Sequence, residues 1–144
     1  MFAGHLAFML AALFTGAAFY VSFAEQPARL GLDDRVLLAQ WKPSYKRGFV
    51  MQAPLAVIGC VLGILAWWMT GRLAFVVGAA LLLANVPWTI FCVMPTNNVL
   101  VETDSAGAGP GSRALIVKWN RLHAVRTLFG CAAILAFLVA LSST

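Results

Sequence analysis

Four long apolar stretches divide the chain, at about residues 3–24, 49–69, 73–94 and 122–141. Each is close to the roughly 20 helical residues that cross the hydrocarbon core of a bilayer. Only Thr70, Gly71 and Arg72 separate the second stretch from the third, so the helices on either side must be antiparallel neighbours. The pattern predicts one all-α domain over residues 1–144, an integral membrane four-helix bundle with up-down topology.

The charged residues are concentrated in the two longer connections, at about residues 25–48 and 95–121. All five acidic residues lie there, and so do all the basic residues except Arg72 and Arg126. Arg72 lies at the opposite end of the predicted bundle, and Arg126 lies at the start of the fourth stretch, next to the second connection. Because Lys and Arg are enriched in cytoplasmic loops, we expect both connections in the cytoplasm and both termini outside. Residues 31–41 have the pattern of a short interfacial helix.

The composition excludes a water-soluble domain. Apolar residues make up 62% of the chain and charged residues 10%, with a mean hydropathy of +0.88, whereas soluble domains have about 45–50% and about 25%. The net charge of +5 does not indicate nucleic-acid binding, because the basic residues form no patch interleaved with aromatic side chains. We therefore expect membrane lipids, and no nucleic acid, among the partners.

Small residues predict where the helices pack closely, since lipid offers no hydrophobic drive for helices to meet. Gly59 and Gly63 form a GxxxG pair in the second stretch, and Ala12 and Gly16 form a similar pair in the first. We expect both pairs to pack inside the bundle, although either could serve a homo-oligomer. The three cysteines are expected to be small buried apolar side chains: Cys60, Cys92 and Cys131.

Polar side chains, which are costly at membrane depth, gather at the cytoplasmic end of the predicted bundle. Trp119, His123 and Arg126 are spaced i, i+4 and i+7, which places them on one helical face. That face is expected to look into the bundle. The other polar residues predicted at this end are Glu25, Gln52, Asn97 and Asn98.

Asn85 and Pro87 interrupt the third apolar stretch. A proline inside a helix frees a backbone carbonyl one turn earlier and tends to kink the helix. We therefore predict a kink here, with Asn85 either bonding the freed backbone or lining a cavity.

A metal or haem site has little support in the sequence. His5 lies near the outer end of the first stretch, and the 20 residues from there to Glu25 rise about 30 Å in a helix. His5 and His123 therefore cannot share one iron, and the polar end has too few ligands for zinc. No cofactor is expected, with haem or copper as the alternative.

Four motifs run in order along the chain: Glu25-Gln-Pro-Ala-Arg29, Trp41-Lys-Pro-Ser-Tyr45, Pro95-Thr-Asn-Asn98 before Leu100, and Trp119 with His123 and Arg126. Together they resemble the anthrone-oxygenase-like family of small four-span membrane proteins. The resemblance covers nearly the whole chain and implies the same fold. It also implies the activity of the fungal members, which oxidise an anthrone to an anthraquinone with dioxygen and no known organic cofactor. The short chain is similar to bacterial members, which implies a bacterial inner membrane.

The candidate catalytic residues fit a monooxygenase of that kind. A base can remove a proton next to a carbonyl, and the resulting carbanion can react with dioxygen. His123 is the expected base, because imidazole changes protonation near neutral pH. Arg126 or Asn97 would stabilise the enolate oxygen, and Glu25 would orient His123 or pair with Arg126.

The expected ligand is a small hydrophobic molecule, aromatic or quinone-like. Trp119 and Tyr45 could stack on its rings, and Asn98 and Gln52 complete the predicted substrate-binding set.

A second interpretation stays open, in which the chain has no catalytic activity. The polar cluster would then be a structural lock between helix ends, in a protein that binds a lipid, a haem or metal, or a partner subunit.

Overall fold

The computed structural model describes residues 1–142, and four long helices account for most of them. They are α1 (Phe2–Leu30), α2 (Asp34–Thr70), α3 (Leu73–Glu102) and α4 (Pro110–Ser142), and each is long and apolar enough to cross a membrane. Each helix packs against the next in chain order, and α1 closes the ring against α4. The predicted all-α four-helix bundle is therefore confirmed.

The helices extend well beyond the four predicted spans. The two predicted long loops are largely helical, and residues 31–41 supply the start of α2 instead of a separate interfacial helix. The extensions are stable as helices because they carry their own apolar core. In it Leu37 and Trp41 of α2 pack with Leu100 of α3 and with Ile116 and Trp119 of α4.

Local sequence explains where α2 begins and ends. The Asp33 side chain accepts hydrogen bonds from the backbone N–H groups of Arg35 and Val36, at 3.1 and 3.0 Å. This cap satisfies two of the donors that a helix N-terminus leaves free. Gly71 ends the helix with a φ of 72°, a left-handed conformation that glycine adopts without steric cost. The chain then reverses directly into α3.

Two wide π-helical turns interrupt the α-helical hydrogen bonding, one in α1 at Val21–Glu25 and one in α3 at Thr89–Val93. Each ends two residues before a proline, Pro27 in α1 and Pro95 in α3. Such turns are frequent at functional sites. The helix α3 continues through Pro87, and Asn85 donates to the carbonyls of Leu81 and Leu82 at 3.3 and 3.1 Å.

Close approach of the helices depends on glycines, as expected for Gly59 and Gly63. A methyl group on Gly59 would lie 2.8 Å from Leu82, and one on Gly63 would lie 3.0 Å from the ring of Phe137. The prediction for Ala12 and Gly16 was wrong, because both are exposed on the outer surface of α1. The first half of the inward face of α1 is formed instead by alanines at four-residue spacing, Ala3, Ala7 and Ala11.

The prediction of buried cysteines was also wrong. Cys60 and Cys92 are partly exposed and Cys131 is exposed. They lie on outward faces of three different helices, where a thiol is as compatible with lipid as a small apolar side chain.

Candidate functional site

The helix α4 presents His123 to the bundle interior, where it is 3% exposed. Its ring stacks on Trp119, one turn earlier, with 4.8 Å between the ring centroids. The Ser22 hydroxyl of the α1 π turn lies 3.4 Å from His123 Nδ1. The imidazole is thus held between an aromatic ring and a polar contact.

Arg126 lies on the same face of α4 and is 9% exposed. Its guanidinium lies over the ring of Phe14, 5.3 Å from the ring centroid. Both salt bridges found within residues 1–142 involve other arginines, and Arg126 Nε has no hydrogen-bond partner in that range. Contact with an aromatic face offsets only part of the cost of burying this charge.

Glu25 forms an ion pair with Arg29 on the same helix. It also accepts a hydrogen bond of 3.3 Å from the Gln40 side chain. Glu25 therefore bonds to Arg29 and Gln40, and the expectation that it would orient His123 or pair with Arg126 was wrong. The reason is local, since residues four apart on one helix are neighbours.

A chain of aromatic contacts supports one wall of the site. Trp41 stacks on Tyr45 with 5.0 Å between centroids and meets Trp119 edge to face at 5.6 Å. Arg29 lies over the Trp119 ring, 5.9 Å from its centroid. Trp119 is therefore fixed in position by neighbours on α1 and α2, and Tyr45 by Trp41 on its own helix.

Two amide side chains complete the interior, Gln52 of α2 and Asn97 of α3, each 1% exposed. Gln52 Oε1 and both polar atoms of Asn97 lack a hydrogen-bond partner in the described part of the chain. Asn98 was predicted to bind substrate, but it is exposed on the outer side of α3. Successive helical residues point about 100° apart, so both neighbouring asparagines cannot face one interior.

Seven of the eight predicted site residues, all except Asn98, line one cavity at this end of the bundle. Its volume is about 30 Å³, enough for roughly two water molecules. The full lining is Val21, Glu25, Arg29, Ser44, Tyr45, Gly48, Phe49, Gln52, Thr89, Val93, Asn97, Trp119, His123 and Arg126. Both π turns contribute residues to it.

Sequence reasoning missed three polar members of this cavity, Arg29, Ser44 and Thr89. Arg29 had a usable signal, because it follows Glu25 by four residues in a motif that was already recognised. Ser44 also had a usable signal, because it directly precedes Tyr45 in another of the recognised motifs. Thr89 had none, because a single threonine in an apolar helix usually bonds its own backbone.

The cavity favours a ligand with negative charge or with hydrogen-bond acceptors. Arg29 and Arg126 contribute two positive charges against one negative charge from Glu25. Unpaired donors of Arg29, Asn97, Trp119 and Arg126 are buried around it, counting partners within residues 1–142. Guanidinium and indole N–H groups can only donate, so an oxygen atom of a ligand would satisfy them.

No group of three His, Cys, Asp or Glu side chains within residues 1–142 is arranged to hold a metal ion.

A family model described as anthrone oxygenase matches residues 41–136. The chain belongs to the anthrone oxygenase family. Among the candidate site residues, Tyr45, Gln52, Asn97 and His123 lie inside the matched segment, whereas Glu25 precedes it. The resemblance seen in the sequence motifs is therefore confirmed.

Individual members of the anthrone oxygenase family match as well. The chain is 30% identical to an anthrone oxygenase of Pestalotiopsis fici over 115 residues, 69% of this chain and 80% of that protein. It is 38% identical to one of Aspergillus fumigatus over 101 residues, 65% of this chain and 63% of that protein. A third, from Cryptosporiopsis, is 29% identical over 133 residues, 83% of this chain and 74% of that protein. No solved structure matches the chain.

Proposed function

We propose that the chain is a membrane-embedded oxygenase that converts a hydrophobic anthrone-like ketone into the corresponding quinone. One observation carries this proposal: several buried polar atoms around the cavity lack partners among the described residues, and they surround a space that is open to a ligand. These atoms belong to Arg29, Gln52, Asn97, Trp119 and Arg126. A structural lock would be expected to bond its members to one another. The relatives are named anthrone oxygenases, which supports the reaction class.

The reaction needs a base and a stabiliser for negative charge. His123 takes one proton from the methylene carbon of the substrate, and the charge spreads to the carbonyl oxygen. Arg126 and Asn97 donate hydrogen bonds to that oxygen. Because these donors are already in place, little reorganisation is required as the charge develops.

Dioxygen then forms a bond to the carbanion, and the proton held by His123 gives a hydroperoxide on that carbon. His123 removes the second proton from the carbon, the O–O bond breaks, and the carbon becomes a carbonyl. The departing hydroxide takes that proton and leaves as water. In total, one anthrone and one dioxygen give one anthraquinone and one water, with the carbon losing the four electrons that the two oxygen atoms gain.

The other lining residues position the substrate. Tyr45 and Trp119 present aromatic surfaces to the reacting edge of its ring system, and Gln52 offers an unpaired carbonyl oxygen to a phenolic hydroxyl there. Glu25 holds Arg29 in place and limits the positive charge of the cavity. No cofactor takes part in this scheme.

The membrane orientation is also a proposal. With the basic residues at the end that holds the cavity, that end faces the cytoplasm and the termini lie outside. The relatives are fungal, so they give no support for a bacterial inner membrane.

Isotope labelling of the purified chain in lipid vesicles tests the reaction. With ¹⁸O-labelled dioxygen and anthrone, we expect one labelled oxygen in each anthraquinone and one dioxygen consumed per product, well above the rate in empty vesicles. Product formation at the rate of empty vesicles would contradict the proposal.

A further inference from the structure

A second, larger cavity lies between α2 and α3, on the outer side of the bundle. Its volume is about 260 Å³. On α2 it is bordered by Ala53 and Val57, and on α3 by Val86 and Ile90. Val57 and Ile90 are 46% and 48% exposed, so this groove opens sideways toward the lipid.

The groove adjoins the polar cavity and shares part of its lining. Three residues, Phe49, Thr89 and Arg126, line both spaces. Arg126 is the basic residue of the groove, and it stands where the apolar walls meet the polar interior.

The polar cavity and the groove differ in volume, and only the groove is large enough for a ligand of three fused rings. The polar cavity holds roughly two water molecules, which is too little for three fused rings. The groove has more than eight times that volume, 260 against 30 Å³. A mostly apolar pocket with a few convergent polar groups is the usual form of a small-molecule site.

The groove also contains polar atoms that point to a ligand. Asn85, 2% exposed, uses its amide N–H groups on the backbone. Its Oδ1 has no partner within residues 1–142, and neither has Arg126 Nε. One buried acceptor and one buried donor therefore remain available in an apolar wall, which is costly unless a ligand satisfies them.

We infer that the groove between α2 and α3 binds the ring system of a polycyclic aromatic ketone, which enters sideways from the bilayer. The ketone oxygen of the ligand accepts a hydrogen bond from Arg126, and the reacting edge of the rings points past Thr89 into the polar cavity. This inference rests on the proposed function for the reaction but assigns a separate binding surface. A lipid-soluble substrate would reach the site without crossing the aqueous phase.

Filling the groove tests the inference. Ala53→Trp places a large side chain in it, and Ala80→Trp is the matched control, because Ala80 is exposed on α3 away from both cavities. Binding of 9,10-anthraquinone to the chain in lipid nanodiscs is followed by equilibrium dialysis, and anthrone turnover is measured alongside. If Ala53→Trp does not fold, Val57→Phe at the groove rim replaces it.

We expect Ala53→Trp to weaken anthraquinone binding by at least about tenfold and to raise the KM, while Ala80→Trp matches the unmodified chain. His123→Gln should lose turnover and keep anthraquinone binding. Unchanged anthraquinone binding in both Ala53→Trp and Val57→Phe would overturn the inference. This is the result expected if a lipid acyl chain, and not the ring system, fills the groove. A different result would separate the two proposals. Loss of anthraquinone binding in Ala53→Trp, with no anthrone turnover in the unmodified chain or any variant, would support ring binding in the groove and contradict the proposed reaction.

Discussion

Asn97 is buried inside the polar end of the bundle, yet its amide group bonds to none of the residues 1–142. Buried polar groups in folded proteins are nearly always paired, and an unpaired one lowers stability. A side chain of this kind is expected where a ligand or water completes its bonding. The same argument applies to Gln52 and Arg126.

Replacing Asn97 separates a binding site from a structural lock. Asn97→Leu removes no hydrogen bond within the described chain, so the thermal unfolding temperature in detergent should stay unchanged or rise. Anthrone turnover should fall by about 10²-fold, because a donor to the developing oxyanion is lost. Asn98→Leu, on the exposed side of the same helix, should keep both values. Marked destabilisation of Asn97→Leu would favour the lock.

The ion pair of Glu25 and Arg29 is expected to matter for stability. Glu25→Gln leaves the Arg29 charge buried and without its carboxylate. Breaking a buried pair costs about 3–5 kcal/mol, and we expect roughly 3 because the Glu25 side chain is 24% exposed. Chemical unfolding in detergent measures the free energy. Glu102→Gln, at an exposed position, is the control, and equal stability of the two variants would contradict this role.

Helix packing in the bundle depends on the absence of side-chain atoms at a few glycines. A Cβ on Gly78 of α3 would collide with the ring of Phe137 on α4. Gly16 of α1 has open space around its Cα among the described residues. Gly78 is thus required for close helix packing, whereas Gly16 is not.

Alanine substitutions should reveal the difference between these glycines. Gly78→Ala is expected to destabilise the protein by about 1–3 kcal/mol through overpacking. Gly16→Ala is expected to stabilise it by about 0.5–1 kcal/mol, because alanine favours the helix. Thermal unfolding of both variants in one detergent provides the comparison. Equal changes in stability for Gly78→Ala and Gly16→Ala would contradict the close contact between α3 and α4.

The four helices could be predicted from sequence because each apolar stretch is long enough to cross a bilayer. Their ends could not, because Leu37, Trp41 and Ile116 form a core outside the predicted spans that depends on contacts between distant residues. For the site, the helical spacing of Trp119, His123 and Arg126 was enough to predict that these three side chains share one inward face. The pairing of Glu25 was not predicted correctly, since topology places residues at one end of a bundle without fixing which of them touch.

At the scale of the whole molecule, the two halves of the bundle differ in character. The half near the termini has a mainly apolar core, with Phe14, Phe75 and Phe137 packed on alanines. The other half holds the polar cavity and ends in the small core around Trp41. Charged side chains surround this second half, which is consistent with one end of the bundle projecting from the bilayer.

The proposed orientation can be tested by labelling single cysteines in a variant without Cys60, Cys92 and Cys131. A cysteine at Ala108, between α3 and α4, should react only from the cytoplasmic side of oriented vesicles. A cysteine at Phe2 or at Gly71 should react only from the other side. Labelling of Ala108 and Phe2 positions from the same side would contradict the up-down topology.

In the proposed mechanism, His123 acts as the general base for oxygenation in the cavity around it. The most direct test is dioxygen consumption by His123→Gln with anthrone as substrate, compared with His5→Gln at the exposed opposite end of α1. We predict that kcat falls by about 10²–10⁴-fold in His123→Gln, with the unfolding temperature retained, and stays unchanged in His5→Gln. Full activity in a folded His123→Gln variant would contradict the account.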